Sequence, residues 1–160
     1  MSNYILRAPV VSATEAAGLA DSLRKQGKRI VFTNGCFDIF HPGHLEILEK
    51  ARMQGDFLFV GVNTDDSVKR LKGTARPVQP LESRVAVLSG LRSVDCVVPF
   101  SQDTPLELIT EILPDVLVKG GDYSEDQVVG AGVVRQNHGD VVIVPLLDGY
   151  STTLIVEKMS

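Results

Sequence analysis

Two histidines, His41 and His44, flank Pro42-Gly43 shortly after the apolar run Ile30-Val31-Phe32. Between run and histidines lies Thr33-Asn34-Gly35-Cys36-Phe37-Asp38, and a helical pattern follows from Leu45 to Arg52. Strand, glycine-bearing turn and helix form the layout that binds phosphate in α/β proteins, because free N–H groups and the helix dipole both face the turn. At the start of a helix this histidine spacing puts both rings on one face, roughly 5 Å apart along the axis. Pro42 suits the first helical position, and Gly43 lets a ligand approach the backbone. A zinc pair is the rival chemistry. It lacks a third ligand, since the remaining histidine, His138, falls in a turn and no HExxH-type partner is present.

These residues need a scaffold, and the pattern of the chain supplies one. Ser12-Ala13-Thr14-Glu15 is a capping box opening a helix over 13–25 that stops at Gly27. Strands are expected at 29–34, 57–62, 96–99, 116–118 and 141–144. Helices are expected from His41 to about 54, over 81–92, from a second capping box at Thr104-Pro105-Leu106-Glu107, over 130–137, and from Ser151-Thr152-Thr153 onward. A short helix begins near 63–67, Ser124 caps a helical turn, and 71–80, with two prolines and a glycine, is a loop. The alternation implies an α/β fold: a Rossmann-like five-stranded parallel sheet with helices on both faces. Residues 1–160 are expected to form a single domain, with 1–11 as an N-terminal arm.

In such sheets ligands bind outside the carboxyl ends of the strands, and the remaining polar candidates gather there. Asn63, Asp65, Lys72 and Arg76 follow the second strand; Lys119, Gly120, Gly121 and Asp122 follow the fourth; Ser151 and Thr152 follow the fifth. Several have two readings. Lys72 and Arg76 fit a solvated loop as well as a phosphate site, and Arg84 fits a helix surface as well as a phosphate contact. Asp38 either caps the turn or orients a histidine. Ser151 is either a plain N-cap or part of a phosphate cradle. Cys36 reads as a small filler. The set is rich in cations and N–H donors and holds no nucleophile–base–orienter triad. That suits nucleotidyl transfer: an attacking phosphate monoester, with a second pKa of about 6, needs no general base. Catalysis is then positioning and charge stabilisation.

Net charge is −4 and the apolar fraction 44%, so no general basic field exists for nucleic acid or an anionic membrane. No apolar run approaches the ~20 residues of a membrane span, and the first residues lack the pattern of a signal peptide. Two cysteines without CxxC read as free thiols in a reducing cytoplasm.

His41-Pro42-Gly43-His44 resembles the HxGH signature of the nucleotidyltransferase superfamily, Thr33 to Asp38 its cytidylyltransferase-like branch, and Ser151-Thr152-Thr153 that branch's ST(T) motif. Leu71-Lys72-Gly73, Arg76-Pro77-Val78, Pro80-Leu81-Glu82, Asp103-Thr104-Pro105 and Leu117 to Tyr123 resemble the adenylyltransferase domain of ADP-heptose synthases. The resemblance implies the nucleotidyltransferase α/β phosphodiesterase-like fold and transfer of AMP from ATP to D-glycero-β-D-manno-heptose 1-phosphate, usually with Mg²⁺, for lipopolysaccharide core or other surface glycans. It also implies a stand-alone form in the cytoplasm, a homo-oligomer, and a separate heptose kinase and phosphatase upstream. Carried over residue by residue, His41, His44 and Lys72 are catalytic. Thr33, Asn34, Gly35, Phe37 and Gly43 line the nucleotide crevice with both histidines; Lys119, Gly121 and Asp122 border the nucleotide; Ser151 and Thr152 hold the β- and γ-phosphates. Lys72, Arg76 and Arg84 are implied phosphate contacts, and Asn63 and Asp65 sugar contacts. Glycerol-phosphate cytidylyltransferases carry an arginine shortly before ST(T), where this chain has Leu146-Leu147-Asp148-Gly149. That speaks for ATP over the alternative, a polyol-phosphate cytidylyltransferase. A non-catalytic nucleotide-binding protein is a third reading.

Overall fold

Alternating apolar residues in a central strand must face two separate cores, and this pattern builds the molecule. The computed structural model describes residues 7–160. Its order is α1 (Ala13–Lys25), β1 (Ile30–Gly35), α2 (Pro42–Arg52), β2 (Phe57–Asn63), α3 (Asp65–Lys72), α4 (Leu81–Ser89), β3 (Cys96–Phe100), α5 (Leu106–Ile112), β4 (Val116–Gly120), a 3-10 turn (Glu125–Gln127), α6 (Ala131–Gln136), β5 (Asp140–Val144) and α7 (Thr152–Met159). The strands pair in parallel in the order β3-β2-β1-β4-β5. Ile30 and Phe32 pack with α1, α5 and α6 on one face through Ala16, Ala20, Leu108, Ile109, Ile112 and Val134. Val31 packs on the other with α2 and α4, through Leu48, Ala51 and Leu88. Helices thus cover both faces of a five-stranded parallel sheet, as expected.

The Ser12 box forms as read: Ser12 Oγ accepts from Glu15 N–H, and Glu15 Oε2 accepts from Ser12 N–H at 2.8 Å. The second box does not form. Pro105 takes the N-cap position of α5 and no side chain caps it. The carboxylate needed to close the box is used elsewhere, since Gln102 Nε2 donates to Glu107 Oε2 at 2.7 Å. Helix α4 ends at Ser89 rather than 92, with Gly90 as its cap, because glycine extends a helix poorly. Part of the expected N-terminal arm is among the described residues. Val10 bridges to Val97 in parallel, Val97 N–H donates to Pro9 O, and Val11 N–H to Val97 O, so residues 9–11 run along the free edge of β3. The rest of that expectation, residues 1–6, lies outside the described residues.

The sheet order reverses between β1 and β4. Chain segments leaving those two strands diverge to opposite faces and leave a crevice at their carboxyl ends. The residues of interest meet there.

Candidate active site

A cavity of about 550 Å³ opens at this switch point. Its floor is the turn after β1. Phe37 adopts φ 47, and its ring packs under Gly35, where an added Cβ would come within 3.2 Å. Thr33 Oγ1 donates to Val118 O at 2.8 Å, tying β1 to β4 directly below the opening.

The two histidines stack, with ring centroids 3.8 Å apart and 23° between planes. His41 is the N-cap of α2, and its Nδ1 accepts from Gly43 N–H at 3.1 Å. An Nδ1 that accepts leaves the ring proton on Nε2, so neutral His41 keeps a donor on its other edge. This contact also explains the glycine: a Cβ on Gly43 would sit 2.9 Å from the His41 ring. His44 lies edge-on to Phe37 at 5.4 Å and beside Phe40 at 5.5 Å. Its buried Nδ1 has no partner among the described residues. Burial pushes the His44 pKa down to about 4, with the charges of His41 and Lys72 adding to the fall. Burial also lowers His41. Both rings are therefore neutral near pH 7 and act as hydrogen-bonding groups, not as fixed charges.

Two lysines supply the charge. Lys119, at the end of β4, has its pKa lowered by burial; Cys36 acts against this and Lys72 adds to it. Its Nζ lies 5.7 Å from the Tyr123 ring centroid, within cation–π range. Lys72 ends α3 on the other side of the opening. Neither lysine has a carboxylate within salt-bridge distance among the described residues. Ser151 caps α7, its Oγ accepting from Leu154 N–H at 3.1 Å, so the start of that helix faces the cavity with Thr152.

The structure thus gathers Thr33, Asn34, Gly35, Phe37, His41, Gly43, His44, Asn63, Lys72, Lys119, Ser151 and Thr152 around one opening. Five expected residues do not line it. Arg84 is buried, donating to the carbonyls of Cys36, Asn63 and Gln79 and pairing with Asp65 at 2.7 Å. Its donors clamp the cavity's supporting segments, and Asp65 is spent on holding it. Arg76 is spent on Asp38, at 2.5 Å. Burial alone would raise the Asp38 carboxyl, but the N–H groups of Gln79 and Val78 and the Arg76 guanidinium hold it below the ordinary range. Asp38 therefore neither caps its own turn nor orients a histidine; it straps the 76–79 loop to the floor. Gly121 turns away at φ 130, donating to Val144 O, and the following Tyr123 reaches the cavity in place of Gly121 and Asp122.

Sequence reasoning missed an apolar wall of Val129, Leu146, Leu147 and Tyr150, and gave no site role to Leu71, Asp103, Thr104 and Pro105, which stand in the motifs resembling ADP-heptose synthases. The available signal was two adjacent leucines and a tyrosine in a loop, all partly or well exposed. For a divalent metal the described residues build no cage. Among the described residues no group of three His, Cys, Asp or Glu converges. The lining carboxylates Asp38 and Asp103 are paired with Arg76 and Arg70.

Residues 32–158 match the cytidylyltransferase-like family. The chain belongs to the cytidylyltransferase-like family. It is 54% identical over 150 residues to the bifunctional protein HldE of Gluconobacter oxydans (strain 621H), covering 94% of this chain and 31% of that protein. To HldE of Haemophilus influenzae (strain PittEE) it is 53% identical, covering 94% and 32%. The chain thus spans about a third of the length of these relatives. Among solved structures it resembles the lipopolysaccharide core biosynthesis protein of Thermoplasma volcanium, with TM-score 0.61 and 28% identity over 78% of this chain and all of that one. The pantoate-beta-alanine ligase of Francisella tularensis shares the fold at TM-score 0.61 and 16% identity, over 86% of this chain and 67% of that one. No helix of the described residues is long and apolar enough to cross a membrane.

Proposed function

We propose that this chain transfers AMP from ATP to D-glycero-β-D-manno-heptose 1-phosphate. An oxygen of the sugar phosphate attacks the α-phosphorus, the bond from that phosphorus to the bridging oxygen breaks, and pyrophosphate leaves. One arrangement carries the reading: a neutral stacked histidine pair at a helix start, beside two lysines that form no salt bridge with a carboxylate of the described residues. A site of this kind stabilises charge that develops on phosphate oxygens. It supplies no base, and an ionised phosphate nucleophile needs none.

Within this reading His41 Nε2–H and His44 contact the α-phosphate region, and Lys72 and Lys119 offset its negative charge. Ser151 and Thr152 receive the departing pyrophosphate at the start of α7, where free N–H groups favour anions. The loop without arginine at 146–149 supports ATP as donor. The matches to HldE and to a lipopolysaccharide core biosynthesis protein support the heptose acceptor and a product bound for surface glycans. With no cage of His, Cys, Asp or Glu among the described residues, a Mg²⁺ would enter with the nucleotide and would supply further charge stabilisation to its phosphates. A cytoplasmic homo-oligomer, fed by a heptose kinase and a phosphatase, completes the proposal.

The test is pyrophosphate release with Mg²⁺, pairing ATP or CTP with β-heptose 1-phosphate or glycerol 3-phosphate. Release confined to ATP with the heptose phosphate is expected. Release confined to CTP with glycerol 3-phosphate would replace both substrates while keeping the reaction type.

A further inference from the structure

We propose that the loop between β3 and α5 recognises the sugar of the acceptor, with the Asp103 carboxylate and the Thr104 hydroxyl binding its hydroxyl groups. The inference rests on the nucleotidyl-transfer reading above and adds the residues that select the acceptor.

The cavity has two wings about the histidine pair. One, at the ends of β4 and β5, holds Lys119, the apolar wall and the start of α7. The other, at the ends of β2 and β3, holds Lys72, Leu71, Asp103, Thr104 and Pro105. Displacement at phosphorus is in line, with the attacking and departing oxygens on opposite sides. If pyrophosphate departs toward the α7 N-terminus, the acceptor enters from the β2–β3 wing. Its phosphate then meets Lys72, and its sugar extends outward to the loop.

The chemistry of that loop fits a sugar and not an anion. A carboxylate repels phosphate but accepts strongly from hydroxyls. Asp103 Oδ1 accepts from Arg70 Nε at 2.7 Å, and the Arg70 guanidinium also donates to Ser101 O, so the loop is pinned to α3 two residues before Lys72. Oδ2 of Asp103 makes no hydrogen bond to another described residue. Thr104 is the second observation. Its sequence context is a capping box, yet α5 begins without its help, and its hydroxyl makes no hydrogen bond to another described residue while lining the cavity. Leu71 and Pro105 add apolar surface for the C–H face of a ring. Two polar groups on an apolar patch, beside a phosphate cation, suit a polyhydroxylated sugar phosphate.

Asp103→Asn and Thr104→Val, each in the full chain, test this. Calorimetry measures β-heptose 1-phosphate and ATP binding separately, and pyrophosphate release is followed in parallel. Each variant is expected to weaken heptose 1-phosphate binding about tenfold or more and to leave ATP affinity within twofold. Thr104→Val leaves the Arg70 pair alone, so its loss cannot come from a loosened loop. Unchanged heptose 1-phosphate affinity in both variants, an equal loss for ATP, or a wild-type chain that does not bind the sugar phosphate would overturn the inference. Normal turnover of wild type with unaffected variants sinks this inference and leaves the function standing. Sugar binding lost in the variants, with no pyrophosphate release from wild type, does the reverse.

Discussion

The two ends of the sheet treat charge in opposite ways. At the amino ends of the strands, each carboxylate has an assigned partner. Asp115 Oδ2 accepts from Ile30 N–H at 2.7 Å, Asp95 Oδ2 from Leu58 N–H at 2.8 Å, and Asp56 Oδ2 from Arg29 N–H at 2.7 Å. Arginines close the pattern, Arg29 on Asp140 and Arg52 on Asp95. At the carboxyl ends, Lys72 and Lys119 face a cavity without a carboxylate partner among the described residues, and the buried Nδ1 of His44 has no hydrogen-bond partner among them. A charge whose field is already answered holds the fold; one left unanswered can act on a ligand. The difference separates stability from function within about one strand length.

Three experiments would break or sharpen that contrast. The largest effect belongs to the histidine pair: His41→Ala or His44→Ala should lower kcat about a hundredfold or more, as loss of a preorganised donor does, with the circular dichroism spectrum unchanged. A folded variant of near-full activity would end the claim that the carboxyl end does the chemistry. Next comes acid. Below pH 6.5 an unfolded chain takes up a proton at His44 that the folded chain refuses until about pH 4. The unfolded state binds more protons across that window, so stability falls as pH drops through it. Denaturant midpoints between pH 7 and pH 4 should show the fall, and His44→Gln should flatten it; an equally steep profile in the variant would assign the acid sensitivity elsewhere. The smallest effect is at the other end. Asp115→Ala should cost roughly 1.5–3 kcal/mol in unfolding free energy, the range for a hydrogen bond to a charged group, with kcat within twofold. A large loss of turnover there would erase the distinction between the two ends.

Much of the fold is legible because each of the first four strands is an apolar run closed by polar residues or glycine and the fifth is closed by Pro145, and each connection is too short to hide another topology. The floor of the cavity is legible for a local reason: Thr33 to His44 is contiguous, so its turn and its helix entry can be read together. What stays hidden depends on distant partners. Arg84 sits in a helical pattern that leaves its side unspecified; only folding brings the carbonyls of Cys36 and Asn63 within its reach. Thr104 and Glu107 spell a capping box, and Gln102 takes the carboxylate away. Gly121 and Asp122 look like the turn that meets a ligand, but the φ of Gly121 presents Tyr123. Pattern reading finds residues by what lies beside them in sequence and misses competition for the same hydrogen bond.

Helix α7 has none of its residues buried. Only Thr152, Ile155 and Val156 of its eight residues are half-buried, so little tertiary packing supports a helix of a length that is marginal in water. The end of the cavity proposed for pyrophosphate is then held less firmly than its floor, and any population with α7 unformed scales down the apparent affinity for that anion. Weak product retention follows from the same deficit: a helix that reopens readily releases what it holds, which favours repeated turnover over tight binding.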